Sequence, residues 1–202
     1  MRLKFFKNPT PQSISKAALK YMERYAASEK SLRTVLRNRV KRACLRNETF
    51  AKDTTAQQAL HDKIEEIILK YKKSGILNDE VYAQNKAAQL RRKGKSGSII
   101  VHSLQEKGIK KEAVIEALRA YDASLGYECS EEAEFSTAML FAKRKKFDTK
   151  AKSLLNELEE PDSNTKEQLR EKYKDLKRKA LASMARGGYS SVIARRVINE
   201  IF

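Results

Sequence analysis

Residues 75–118, GILNDEVYAQNKAAQLRRKGKSGSIIVHSLQEKGIKKEAVIEAL, decide how the rest of the chain is read. Asn78 can cap a helix carrying Ala83, Ala87 and Leu90, and Arg91, Arg92 and Lys93 close it beside Gly94. Ser96 or Ser98 can cap a shorter helix with Ile100 and Leu104 inward, closed by Lys107 and Gly108. Val114, Leu118 and Tyr121 then define a third. Glycine ends helices because it adopts the left-handed backbone without steric penalty. The spacing predicts three short helices separated by glycine turns.

The same pattern extends outward on both sides. Pro9 and Pro11 precede a helix with Ile14, Ala18, Tyr21 and Tyr25 on one face. Ser28 can cap a second, in which Leu32, Leu36, Val40 and Ala43 repeat. Polar residues around Asn47 to Thr55 predict a loop, and Leu60, Ile64, Ile67 or Ile68, and Tyr71 a third helix ending at Gly75. Toward the other end, Ser130 begins a helix through Ala133, Ala138 and Leu140 or Phe141 that runs into Lys143 to Lys146. Glu157 to Asn164, with Pro161, reads as an acidic exposed connector. Leu169, Tyr173, Leu176, Ala180 and Met184 mark a long helix stopped by Gly187 and Gly188, and Ile193, Val197 and Ile201 a final one.

No run alternates as a strand does, so the expected class is all-α. SLQEKGIKKEAVIEAL (103–118) and SMARGGYSSVIARRVI (183–198) share a helix, a glycine, an apolar residue and a new helix within a few positions. Such turns join helices as in helix-turn-helix units, and stacked units bury their apolar faces on neighbours. The expected architecture is an elongated, curved stack of three three-helix units. They span residues 1–75 with an N-terminal extension, 76–126, and 127–202 with an acidic connector near 156–164.

A formal charge of +17, from 43 Lys and Arg against 26 Asp and Glu, points to a polyanionic partner, usually nucleic acid, an acidic protein surface or anionic lipid, the alternative being a solubilising surface. The start, MRLKFFKNPTPQ, has no apolar run of a secretory signal, and nothing approaches a membrane span, so the cytoplasm is expected. Cys44, Cys129, His61 and His102 are too few and too scattered for a disulfide scaffold or a zinc site. There is no phosphate-cradling G-x-x-x-x-G-K-[ST] and no G-x-S-x-G elbow. Asp79 and Glu80 sit at a helix start, where the helix dipole explains them better than acid–base chemistry. A non-enzymatic protein without cofactor or metal is expected.

The densest basic clusters on amphipathic helices are the candidate contacts. They are Arg33, Arg37, Arg39 and Arg42 on the second helix, and Arg91, Arg92, Lys93 and Lys95 with Lys86 around the fourth. Lys143, Arg144, Lys145 and Lys146 form another, and Arg195 and Arg196 lie on the last helix. A basic run in a last turn also complements the helix dipole, so the run at 91–93 has a capping explanation too.

In the order of its motifs the chain resembles the RecX regulatory proteins of bacterial recombination. The family's Gly, apolar pair, acidic pair, aromatic and Ala correspond to Gly75, Ile76, Leu77, Asn78, Asp79, Glu80, Tyr82 and Ala83. Its basic–Gly junction corresponds to Arg92, Lys93 and Gly94, and its Leu-x-x-Lys-Gly-Ile to Leu104, Lys107, Gly108 and Ile109. Ser28, Glu29, Leu32 and Arg33 resemble the opening signature, and Arg186, Gly187, Gly188 and Tyr189 the closing turn. Long insertions stand near 44–58 and 148–164. The chain departs from the pattern where Ile99 and Val101 flank Ile100 in place of basic residues, and where Gly94, Lys95, Ser96 and Gly97 replace the family's turn. That helix is expected to meet a neighbouring helix or a partner protein rather than a polyanion.

The resemblance implies a monomer that binds the RecA recombinase filament and its enclosed DNA, restraining growth and activity in recombination, repair and the SOS response. Free DNA, bound without sequence preference, is a further expected partner. The alternative is a stand-alone basic DNA-binding protein using its helix-turn-helix-like junctions. Residues 110–121 offer Lys110, Lys111, Glu112 and Glu116, and no Asn, Gln or Arg near the helix start to read bases.

Overall fold

The computed structural model describes residues 8–159 and 163–202, which are all-α and form eleven helices. They group into two compact units. Of the described residues, one comprises those up to Tyr82 with Glu106–Ile109, and the other those of Ala83–Gln105 and Lys110–Phe202.

The first unit contains α1 (Pro11–Arg24), α2 (Glu29–Cys44), α3 (Glu48–Lys52) and α4 (Thr54–Lys73). Apolar residues three and four apart place Ile14 and Ala18 of α1, Leu32, Leu36 and Val40 of α2, and Leu60, Ile64, Ile67 and Ile68 of α4 in one core. Burying each large aliphatic side chain contributes about 1.5–3 kcal/mol relative to exposure. Ser28 caps α2 as expected, accepting from the Ser31 amide at 3.2 Å. Pro11 does not precede α1 but is its first residue, where a missing amide costs nothing; Thr10 is the cap.

The predicted loop at Asn47–Thr55 is instead α3 and the start of α4. Asn47 caps α3, and Asp53 caps α4 through the Ala56 amide at 2.9 Å. Phe50 is the one apolar anchor in a polar run, 4% exposed, and a single anchor leaves no periodicity to read.

Helix α5 (Asp79–Arg92) starts in the first unit and continues in the second. Asn78 caps it, accepting from the Glu80 and Val81 amides at 2.9 and 3.0 Å. Then follow α6 (Gly97–Glu106), α7 (Lys111–Ser124), α8 (Ser130–Arg144), α9 (Phe147–Glu159), α10 (Ser163–Arg186) and α11 (Ser191–Ile201). The predicted connector is corrected, because α9 extends through Glu159 and α10 begins at Ser163; Pro161 lies outside the described residues. Phe147 and Ala151 bury one face of α9, with Leu154 and Leu158 half-buried a turn and two turns on. Helix α8 ends at Arg144, and Lys146 turns the chain with φ 58°. Within this unit α8 to α11 share a core of Ala138 and Ala142, Phe147, Ala180 and Met184, Tyr189, and Ile193, Val197 and Ile198.

Each unit holds one glycine turn docked against a helix N-terminus. In the first, the Ser28 hydroxyl donates to the Lys107 carbonyl at 2.6 Å, and the Glu29 amide donates to Asp79 at 2.8 Å. Gly108 takes φ +87°, and a Cβ there would lie 2.7 Å from the Lys30 Cβ. In the second, Ser96 and Ser98 donate to the Gly187 and Gly188 carbonyls, both at 2.7 Å, and the Gly97 amide donates to Glu134 at 3.1 Å. Gly188 takes φ +75°, and a Cβ there would lie 2.5 Å from the Ser98 hydroxyl.

Candidate interaction surface

The docked turn of the second unit brings two predicted basic clusters together. Buried Tyr189 donates its hydroxyl to the Gly94 carbonyl at 2.9 Å, and burial pushes its pKa up. Arg144, at the end of α8, donates to the carbonyls of Arg92 and Lys93 at 3.2 and 3.4 Å, the open end of α5. Arg92, Lys93, Lys95, Lys143, Arg144, Lys145 and Lys146 are all exposed. Lys145 lies 5.9 Å from the centre of the Phe141 ring. Two helix C-termini therefore carry seven cations where the helix dipole itself favours positive charge.

Arg91 does not belong to that surface. It is 4% exposed, on the same α5 face as Ala83 and Ala87, and donates to Asp122 at 3.1 and 2.8 Å and to Glu134. Burial works against its charge, but the hydrogen bonds to Asp122 and Glu134 outweigh that and raise its pKa. Because Glu134 also accepts the Gly97 amide, the network ties α5, α7 and α8 to the start of α6. Sequence reasoning missed Asp122 and Glu134. The available signal was the spacing of Ala83, Ala87 and Arg91, which puts the arginine on the buried stripe.

On α2 the arginines divide. Arg33 is half-buried and forks onto Glu65 at 3.0–3.1 Å and onto Glu29 at 2.7 Å; Arg37 reaches Glu65 at 2.8 Å. The Glu65 hydrogen bonds, then Glu29, hold the Arg33 pKa up, and Arg33 holds the Glu65 carboxyl below its ordinary range. Lys72, then Arg33, depresses Glu29. Arg33 and Arg37 thus serve the α2–α4 contact. Arg39 and Arg42 are exposed and, with Arg46, Asn8, Ser13 and Asn47, line a groove of about 320 Å³.

The remaining candidates lie apart. Lys86 donates to Gln89 at 2.7 Å, Arg195 is exposed, and Arg196 lies 3.8 Å from Glu131 and 4.2 Å from the Phe135 ring centre. Ile99 packs by the Gly188 turn, and half-buried Val101 lines a cavity with Ile115 and Leu118. Of the two apolar flanks of α6, Ile99 therefore meets a neighbouring element, whereas Val101 faces the cavity. Asp79, assigned by sequence to its own helix dipole, holds the first amide of α2; burial pushes its pKa up, against that amide. Among the described residues no group of three or more His, Cys, Asp and Glu could hold a metal, and no helix is long and apolar enough to cross a membrane.

Helices braced by serine–glycine turns, with cations gathered on helix ends, define an all-α helical-repeat protein with a cationic face. Residues 78–118 match the family model of RecX, second three-helix domain. The chain is 32% identical over 191 residues to a regulatory protein RecX of Myxococcus xanthus, covering 95% of this chain and 87% of that protein. The chain belongs to the RecX family of regulatory proteins. The fold is shared with a crystal structure of RecX from Lactobacillus salivarius (TM-score 0.57, 20% identity, 95% of this chain and 96% of that one). It is also shared with a crystal structure of a regulatory protein RecX (TM-score 0.54, 15% identity, 94% and 71%).

Proposed function

We propose that the chain acts in the cytoplasm as a non-enzymatic regulator that binds the RecA recombinase filament on DNA and limits its extension, ATP hydrolysis and strand exchange. Family membership supplies the regulatory role. The observation that carries the partner reading is the joined basic face at the ends of α5 and α8. Arg92, Lys93, Lys95 and Lys143 there form no ion pair with any described residue. Cations left uncompensated on a chain of charge +17 repel one another until a polyanionic surface meets them.

The test is the ATPase of a preformed RecA filament on single-stranded DNA. Adding the protein slows hydrolysis, and the double variant Arg92→Glu, Lys143→Glu weakens that effect while helicity by circular dichroism is unchanged. An unaffected ATPase would sink the reading. Free DNA, if bound by neutralising about six phosphates, loses roughly three decades of affinity between 50 and 200 mM salt. The loss is the same for scrambled duplexes, whereas a sequence preference would favour a stand-alone DNA-binding role.

A further inference from the structure

Beside the basic face lies a groove of about 390 Å³, formed by the end of α5, the α7–α8 linker and α8. Tyr121, Leu125, Met139 and Leu140 give it an apolar floor, and Arg92 and Lys143 stand in its lining. Leu125, at the start of the linker, is 55% exposed, so its side chain is open to an incoming group. The linker is fixed, since the Tyr127 hydroxyl donates to Ser136 on α8 at 2.6 Å and the Tyr127 amide to the Asp122 carbonyl at 3.2 Å. Asp122 also lines the groove, but its carboxylate is bound to buried Arg91 and leaves Arg92 and Lys143 unneutralised.

We infer that this groove docks an acidic protein segment carrying one bulky apolar side chain. Its carboxylates meet Arg92 and Lys143, with Lys93 and Arg144 beside them, and its apolar side chain covers Leu125, Met139 and Leu140. The inference deepens the functional reading and rests on its claim that this face meets a protein. Charge complementarity selects an acidic occupant, and the floor selects a peptide over a nucleic-acid backbone. Phosphates would satisfy the cations and leave the leucines and methionine in water. A volume of this order suits one or two side chains rather than a helix.

The test is fluorescence anisotropy with the full chain and three labelled probes: an Asp/Glu-rich heptapeptide with a central Phe, the same peptide with Ala, and a 20-base-pair duplex. The Phe peptide is expected to bind about tenfold more tightly than the Ala peptide, the scale of one partly buried aromatic side chain. Leu125→Glu, at an exposed position, erases the difference; Arg92→Glu weakens both peptides. Equal affinity of the two peptides for the native chain, or a Phe preference that survives Leu125→Glu, overturns the inference. Tighter binding of the duplex that is lost in Leu125→Glu also overturns it, in favour of a nucleic-acid site. The filament ATPase is measured in parallel: a native chain that prefers the Phe peptide yet leaves the ATPase unchanged refutes the RecA reading and not the groove.

Discussion

Arg91 and Arg92 are adjacent and chemically identical, and the structure gives them opposite roles that one pair of substitutions separates. Arg91→Met keeps an apolar stem of similar length but strands Asp122, which is 7% exposed, and takes from Glu134 its cation. Removing one partner of a buried ion pair costs about 3–5 kcal/mol, most of it for the charge left behind. Arg92→Met changes an exposed side chain, while the backbone carbonyl that accepts from Arg144 is kept, and costs less than about 0.5 kcal/mol. Urea unfolding followed by far-ultraviolet circular dichroism measures both. The transition of the second unit shifts in Arg91→Met alone. The triple variant Arg91→Met, Asp122→Leu, Glu134→Gln recovers most of the loss, because it removes the buried charges together and leaves an acceptor for the Gly97 amide. A cost for Arg91→Met below about 1 kcal/mol, the scale of an exposed pair, would place Arg91 at the surface and refute the assignment.

Gly188→Ala puts a Cβ on a backbone of φ +75° and against the Ser96 and Ser98 hydroxyls. It is expected to cost about 1–2 kcal/mol for the backbone and about 1 for each serine bond displaced, read as a lowered Tm; an unchanged Tm counts against the docked turn. Glu29 and Glu65 are held below their ordinary pKa, so the stability they add is present above the unfolded carboxylate range and is lost as pH falls through their lowered folded values. Asp79, raised by burial, works the other way and favours the fold at low pH, losing that contribution as pH rises through its raised value. Urea midpoints between pH 3 and 6 should therefore show an acid decline that is shallower in Glu65→Gln; an identical slope would remove the Arg33–Glu65 pair from the account.

The helices were legible where several apolar side chains share a face, as with Leu32, Leu36 and Val40, and where a cap and a glycine bracket the run. Phe50 gives no period because it is a single anchor, and in α9 the acidic and polar residues around Glu157 to Asn164 mask the stripe of Phe147, Ala151, Leu154 and Leu158. The basic face was half legible. Charge density finds Arg92 and Lys143 but cannot tell that their helices end side by side, since that depends on the distant Gly187–Tyr189 turn. Nor does density distinguish a cation facing water from one facing carboxylates, which is why Arg33 and Arg37 turn out to be engaged by Glu65 and Arg91 by Asp122.

The two docked turns make the internal repeat physical. Ser28 and Ser96 are both fully buried, and each accepts an amide of its own helix while donating to the carbonyl just before a left-handed glycine. Asp79 and Glu134 each take the first amide of that same helix. Both arrangements spend polar groups on orphan helix-end donors and carbonyls that would otherwise stay buried and unpaired, which makes the angle between elements a matter of hydrogen-bond geometry and not only of apolar packing. A cationic face carried on helix ends needs that rigidity. Seven like charges held close together would otherwise spread apart, and a loosened Gly188 turn is expected to weaken any binding that depends on how those charges are held together.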